Sequence, residues 1–244
     1  MATAVVTVAD FERLVVERRG PVGWILNNRP EVLNAYDDTM RAEFRRAYLH
    51  HEHDPQVKAI VHGARGRAFQ VGVDVADFED EDGPAKFERE VREFDLGLTG
   101  WHLGVTKPVV VAINGVCAGG GLHWLADADV AIAASDATFV DPHVSMGQVT
   151  AFEVIGLARR APFEAIMRMA LVGSHERMTA ARAYELGLVS EVVNPPERLH
   201  DAAQALAERI AEGDPEDLAA RKAALWAAQE EPLVAPGRPA GAAG

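Results

Sequence analysis

The residues from Lys107 to Asp129, KPVVVAINGVCAGGGLHWLADAD, hold the densest set of features in this chain that could do chemistry. An apolar run from Val109 to Ile113 reads as a buried strand. Asn114-Gly115 then turns the chain towards three consecutive glycines, Gly119, Gly120 and Gly121, and an apolar helix begins behind them. Residues without a Cβ let a substrate come close to the backbone. The first N–H groups of a helix have no acceptor inside it and carry the positive end of its dipole. Such N–H groups stabilise a carbonyl oxygen that gains negative charge during a reaction. The block is therefore a candidate oxyanion site, and enzyme is the leading reading. Two other readings fit the same glycines: a phosphate cradle, and close packing of a helix on a sheet.

These residues need a scaffold, and the hydrophobic pattern outlines one. Residues 14–19 and 22–26, on either side of Gly20-Pro21, read as a hairpin. Residues 39–51 place Met40, Phe44, Ala47 and Tyr48 at helical spacing. A strand is expected over 57–62, a solvated acidic loop over 77–82, and a helix from Pro84 to about Leu103. Behind the glycines, strands are expected at 130–133 and 138–140. From Phe152 onward the pattern turns helical, with helices over 163–171, 179–186, 199–211 and 215–228. The apolar row Ile166, Met167, Ala170 and Leu171 reads as core or subunit interface. Strands alternating with helices imply crossover connections and a parallel sheet, hence an α/β fold. The tail over 232–244, rich in Ala, Pro and Gly, reads as a flexible end.

Composition sets the class. With 244 residues, 48% hydrophobic and 25% charged, the chain has material for a substantial core. Its net charge of −13 argues against a nucleic-acid surface. Cys117 is the only cysteine, so no internal disulfide can form and a reducing cytoplasm is compatible. Its apolar context reads as a buried thiol, not a nucleophile. The N-terminus meets Asp10 and Glu12 early and does not read as a signal peptide. No apolar run approaches the length of a membrane span.

A second segment narrows the oxyanion reading. Gly66-Arg67-Ala68-Phe69 with Gly72-Val73-Asp74, preceded by Asn28-Arg29-Pro30 and Leu33-Asn34-Ala35, stands in order with the Asn-Gly and triple-glycine block. Ala133 to Phe139 and Thr179-Ala180 through Leu186-Gly187-Leu188-Val189 complete the set. Together these pieces resemble the crotonase superfamily, the enoyl-CoA hydratases and isomerases, over roughly residues 12–225. The resemblance implies a spiral of ββα units over 1–190 and a helical trimerisation region over 191–231, giving homotrimers or hexamers. It implies oxyanion donors at the backbone N–H groups of Val73 and Gly120. It also implies coenzyme A as part of the substrate, with no permanently bound cofactor and no metal. Substrate contacts are implied at Arg29, Ala35, Arg67, Gly72, Gly119, Arg221 and Lys222.

The chain departs from the hydratases at their acid–base groups. Those enzymes carry one glutamate two residues after the triple glycine and another about twenty residues later; here the positions hold His123 and His143. Histidine can take or give a proton near neutral pH, but two imidazoles do not carry the standing negative charge of two carboxylates. Glu153, in the turn that follows, is a third candidate, either as a partner to a histidine or as a first-turn helix carboxylate. Asp141 is a nearer alternative. Where relatives often carry a lysine after the Gly-x-Asp aspartate, this chain has Ala76 and then an acidic run, which opposes a polyphosphate. His50 and His53 share a helix face but read as a solvated helix end, and His102 reads at most as lining an acyl pocket. Three functions follow: an acyl-CoA hydratase or isomerase, a carbon–carbon hydrolase of β-diketones or β-keto thioesters, and a non-catalytic binder of acyl-CoA or a partner chain.

Overall fold

A computed structural model describes residues 5–74, 96–148 and 152–230. The fold is α/β, built as a spiral in which each turn contributes one strand to each of two sheets. Three pairs of strands make the turns: β4 (Ala59–Ala64) with β5 (Ala68–Gln70), β6 (Val109–Ile113) with β7 (Val116–Ala118), and β8 (Val130–Ala134) with β9 (Thr138–Val140). The large sheet also contains β1 (Val5–Val8), β2 (Leu14–Arg19), β3 (Val22–Asn27) and β11 (Glu191–Val193), in the order β1-β2-β3-β4-β6-β8-β11. The small sheet runs β10-β9-β7-β5, with β10 at Met178–Thr179. Strands β3, β4, β6, β8 and β11 are mutually parallel, as are β5, β7 and β9. The expected hairpin is the antiparallel β2–β3 pair, in which Leu14 faces Asn27.

Every residue of β3, β4 and β6 is buried, which explains why they read as continuous apolar runs and not as alternating ones. The Asp38–His53 helix starts where Asp37 accepts the N–H of Met40 at 2.7 Å, and it buries Met40, Phe44, Ala47 and Tyr48. Its Glu43 carboxylate accepts the backbone N–H groups of Glu12, Arg13 and Leu14, tying the helix to the start of β2. Between helix and sheets lies an aromatic core of Trp24, Tyr48, Phe44, Phe69 and Trp124. At its centre His62 is fully enclosed. Tyr48 and Trp124 both direct their hydrogens at Nδ1, and Nε2 meets Asn27 Oδ1 at 2.9 Å. Trp can only donate, so Nδ1 is the acceptor and Nε2 carries the hydrogen. Burial accordingly pulls this imidazole down to about 3.

Four helices follow the spiral: Phe152–Arg160, Phe163–Val172, Leu199–Ala211 and Pro215–Glu230, with a short one at Ala180–Glu185. The last is pinned back onto the large sheet through one carboxylate. Asp129 accepts Val109 N at 2.7 Å, Lys222 Nζ at 2.8 Å and Trp226 Nε1 at 2.6 Å.

One expectation needs correction. The helix expected from Pro84 to Leu103 lies outside the described residues up to position 95, and its described end, 96–103, is not helical but a series of turns. Gly97 and Gly100 within it are weak helix formers, and Thr99 uses its hydroxyl to accept His102 N instead. The apolar row on the Phe163–Val172 helix divides. Ile166 is core, whereas Met167 and Leu171 face outward together with Phe163. The acidic run 77–82 and the tail 232–244 lie outside the described residues.

Candidate active site

The two glycine-bearing segments meet between the sheets. A Cβ on Gly121 would sit 2.3 Å from the carbonyl oxygen of Gln70, so only glycine lets the Gly119–Gly121 turn lie against β5. Gly72 holds φ at +96°, and a Cβ there would sit 3.0 Å from the backbone nitrogen of Gly120. The Gln70 side chain fixes this bend by accepting Gly72 N at 2.6 Å.

Among the described residues the backbone around Val73 pairs with Tyr36: Tyr36 N donates to Gly72 O and Asp74 N donates to Tyr36 O. That pattern leaves the N–H of Val73 on the opposite side of the chain. Gly120 is the second residue of its turn, so its N–H has no acceptor within the turn. Among the described residues neither N–H donates to another backbone group. Two adjacent, unengaged main-chain donors are what an oxyanion site requires.

Beside them the Leu122–Asp127 helix carries His123. Its neighbour Trp124 points the other way, packing on Phe44 with ring centroids 4.9 Å apart, and so fixes the helix rotation that turns His123 out of the aromatic core. The Phe152–Arg160 helix packs across it. Arg160 at that helix's end donates to the carbonyls of Leu125 at 2.8 Å and Ala126 at 2.7 Å, satisfying acceptors near the end of the His123 helix. This junction brings Glu153 to His123, with Oε2 3.4 Å from Nε2. The other oxygen, Oε1, lies 3.5 Å from Nε2 of His143. His143 stands on the short turn His143–Met146 after β9, and its Nδ1 is hydrogen-bonded to the fully buried Asp141. Asp141 also accepts the His143 backbone N–H at 3.2 Å.

The site is thus a row of four groups: Asp141, His143, Glu153, His123. Their electrostatics differ along the row. The hydrogen bond to Asp141 pushes His143 above the usual histidine range, against burial. Burial pushes Glu153 above the usual carboxylate range. Burial, with His102 and His143 nearby, pulls His123 down to about 3. His123 and Glu153 therefore meet as a neutral imidazole beside a carboxyl that protonates readily, and not as an ion pair.

Not every residue implied by the resemblance stands free at this site. Arg29 donates to Ala35 O at 2.7 Å and pairs with Asp74 at 3.0 Å and Asp37 at 3.4 Å, so its charge is already matched inside the fold. Lys222 is held by Asp129 and by the Lys107 carbonyl. Arg67 and Arg221 are exposed. Ala35 is buried beside Tyr36, and Gly119 opens the glycine turn. Ala76 lies outside the described residues. Cys117 is buried, with its thiol facing the Gly121 carbonyl at 3.2 Å, and burial pushes its ionisation up. His51 is likewise buried with Nε2 3.1 Å from Trp24 O, separating it from the exposed His50 and His53.

Tyr36 and Asp127 carry no local signal in the sequence, whereas His102, read at most as lining an acyl pocket, does line a cavity. Tyr36 would lie 3.1 Å, through its hydroxyl, from a Cβ on Gly120. His102 and Asp127 also stand close to His123. Asp127 Oδ2 accepts Thr99 Oγ1 at 2.8 Å and lies 3.4 Å from His102 Nε2. A cavity of about 240 Å³ opens beside them, lined in part by Trp101, Phe152 and Trp226.

Two strand layers wound as a spiral, joined at glycine turns, define the class of fold. Comparison with known proteins agrees: residues 17–237 match the family model described as enoyl-CoA hydratase/isomerase, and the chain belongs to that family, a branch of the crotonase superfamily. It is 31% identical to a probable mitochondrial enoyl-CoA hydratase of Dictyostelium discoideum, over 91% of this chain and 78% of that protein. It is 30% identical to the (E)-benzylidenesuccinyl-CoA hydratase of Thauera aromatica, over 90% of this chain and 84% of that one. The crystal structure of an enoyl-CoA hydratase/isomerase from Mycobacterium paratuberculosis superposes with a TM-score of 0.77 at 36% identity, covering 91% and 84% of the two chains. No helix among the described residues is long and apolar enough to cross a membrane.

Proposed function

We propose that the protein adds water to an α,β-unsaturated acyl-CoA thioester, or removes it, through an enolate held by the N–H groups of Val73 and Gly120. The observation that carries this reading is the placement of Glu153 between the Nε2 atoms of His123 and His143, at 3.4 Å and 3.5 Å. In the hydration direction, His143 takes a proton from water at Nε2 while Asp141 stabilises the imidazolium that forms. The hydroxide oxygen bonds to Cβ, and the π electrons move onto the thioester oxygen at the two N–H groups. The proton passes from His143 to Glu153 and from Glu153 to His123, which protonates Cα. Each contact shortens when substrate closes the site, since catalytic hydrogen bonds are often long before it binds. This row replaces the two carboxylates of the ordinary hydratase with imidazoles and recovers one negative group from Glu153.

Of the four basic residues that the resemblance implies, Arg67 and Arg221 are exposed and suit the coenzyme A phosphates, whereas Arg29 and Lys222 are ion-paired. Phe163, Met167 and Leu171 form an exposed apolar row at i, i+4 and i+8 on one helix, suited to a homotrimer contact with a second copy of this chain. The Asp141–His143 pair also suits water attack on a carbonyl, so hydrolysis of a β-diketone is the second reading.

The test is direct. Purified protein is offered short enoyl-CoA thioesters and, separately, cyclic 1,3-diketones. Loss of enoyl absorbance supports hydration, and ring opening supports the hydrolase. Inertness towards both, with unaltered acyl-CoA affinity in His123→Ala, leaves a binding protein.

A further inference from the structure

His123 and Asp127 stand four residues apart on the Leu122–Asp127 helix, so both side chains leave the same face. This spacing lets two ligands on one helix reach one metal ion. The turns over 96–104 bring a third group to them, His102, whose ring meets that of His123 edge-on with centroids 5.1 Å apart. One ligand atom from each of His102, His123 and Asp127 can be chosen so that all three lie within 4.8 Å of one another. Among the described residues no other group of His, Cys, Asp or Glu meets that test.

We propose that His102, His123 and Asp127 form a binding site for one divalent transition-metal ion of the zinc type, its coordination completed by water from the adjoining cavity. The donor set is two imidazoles and one carboxylate, the mixture that such ions favour over calcium or magnesium. A tetrahedral ion with bonds of about 2.1 Å needs its ligand atoms about 3.4 Å apart. His102 Nε2 and Asp127 Oδ2 are already 3.4 Å apart, so most of the adjustment falls to His123. The cavity of about 240 Å³ touches all three residues and gives water a place on the open side. Thr99 donates to Asp127 Oδ2 and holds the carboxylate in orientation, as an outer partner does for a metal ligand. Arg159 and Arg160 are opposing charges: both line the cavity, Arg160 bound to the carbonyls of Leu125 and Ala126, and they reduce affinity for a cation. An ion at this place competes with Glu153 for His123. That consequence rests on the proposed function, whereas binding itself does not.

The test is calorimetric titration of the full chain with zinc chloride, with Co²⁺ absorption as a second readout. The expected result is one ion per chain with a dissociation constant of about 10 µM or tighter. His102→Gln and Asp127→Asn each weaken it by about tenfold or more, and a His50→Gln/His53→Gln variant leaves it unchanged. Co²⁺ bound by the unaltered protein gives the intense visible bands of a four-coordinate ion. No binding at about 100 µM zinc, equal affinity in both site variants, or a weak six-coordinate Co²⁺ spectrum overturns the proposal. The Co²⁺ spectrum needs no variant, so a misfolded substitution does not shield the proposal, and no arm depends on turnover.

Discussion

Nε2 of His123 stands 3.4 Å from Oε2 of Glu153, a buried oxygen that has no hydrogen-bond partner among the described residues. A buried carboxylate oxygen left in this state destabilises the fold by about 1–3 kcal/mol unless it is protonated or finds a donor. Burial does push Glu153 towards protonation. A carboxylate whose pKa is raised by burial, next to a neutral imidazole, is placed to take up a proton and pass it on.

If this exchange carries turnover, Glu153→Gln lowers kcat by about a hundredfold or more while substrate affinity changes little, because the amide keeps the shape and loses the transferable proton. His123→Ala and His143→Ala fall by a similar factor. Steady-state kinetics on folded variants check this. Unchanged turnover in all three would remove the row from the mechanism.

Asp141 sets the basicity of His143. Its hydrogen bond is the largest cause holding the His143 pKa above the ordinary value. A base works only when deprotonated, so in the hydration direction the rate rises with pH through this raised pKa. Asp141→Asn removes the anion, lowers the pKa and moves the acid limb of the kcat/KM profile to lower pH, with a plateau reduced by about tenfold or more. A profile that keeps its position would sever Asp141 from His143.

Gly72→Ala tests the oxyanion site without touching an acid or base. The new Cβ would lie 3.0 Å from Gly120 N, in a backbone conformation with φ at +96° that L side chains rarely adopt. The expected cost is about 1–2 kcal/mol of stability from the conformation, and a fall in kcat of about a hundredfold from the crowded donor. Chemical denaturation and kinetics separate the two effects. Full activity in a well-folded variant would exclude this pair of amides.

Buried histidines make the fold sensitive to acid. Burial lowers His62 to about 3 and His51 to about 4, from an ordinary value of 6.5. The unfolded chain therefore binds more protons than the folded one below pH 6.5. Stability is intact above that value and is lost as pH falls towards 4 and below, by up to about 1.4 kcal/mol per pH unit for each group. Urea unfolding at pH 7 and pH 5 should show a lower midpoint at pH 5, and replacing His62 should flatten the difference if the variant folds. A midpoint that does not move would contradict the sign argued here.

The core strands were legible because burial on both faces leaves uninterrupted apolar runs, as in Val109–Ile113. The helices from Asp38 and from Leu199 were legible because one face repeats at helical spacing. Strands of two or three residues, such as β5, β7 and β10, are too short to show any period, so only β9 was read as a strand and the small sheet as a whole was not visible as a pattern. Its presence followed only from the resemblance.

Locally encoded properties belonged to the sequence alone: the glycine turns, the buried runs, and imidazoles at positions 123 and 143. Each depends on neighbours a few residues away, so the order of residue types is enough to show it. Whether Glu153 served as a helix-end carboxylate or as a partner to His123 could not be decided from that order, because both readings fit one residue in the first turn of a helix. The packing of the Phe152–Arg160 helix across the Leu122–Asp127 helix, closed by Arg160, sets the Glu153 carboxylate 3.4 Å from His123 while keeping it in the first turn of its helix. Other tertiary contacts set His102 beside Asp127 and matched Arg29 and Lys222 to internal carboxylates. Those are distances between segments far apart along the chain, and only the folded backbone specifies them.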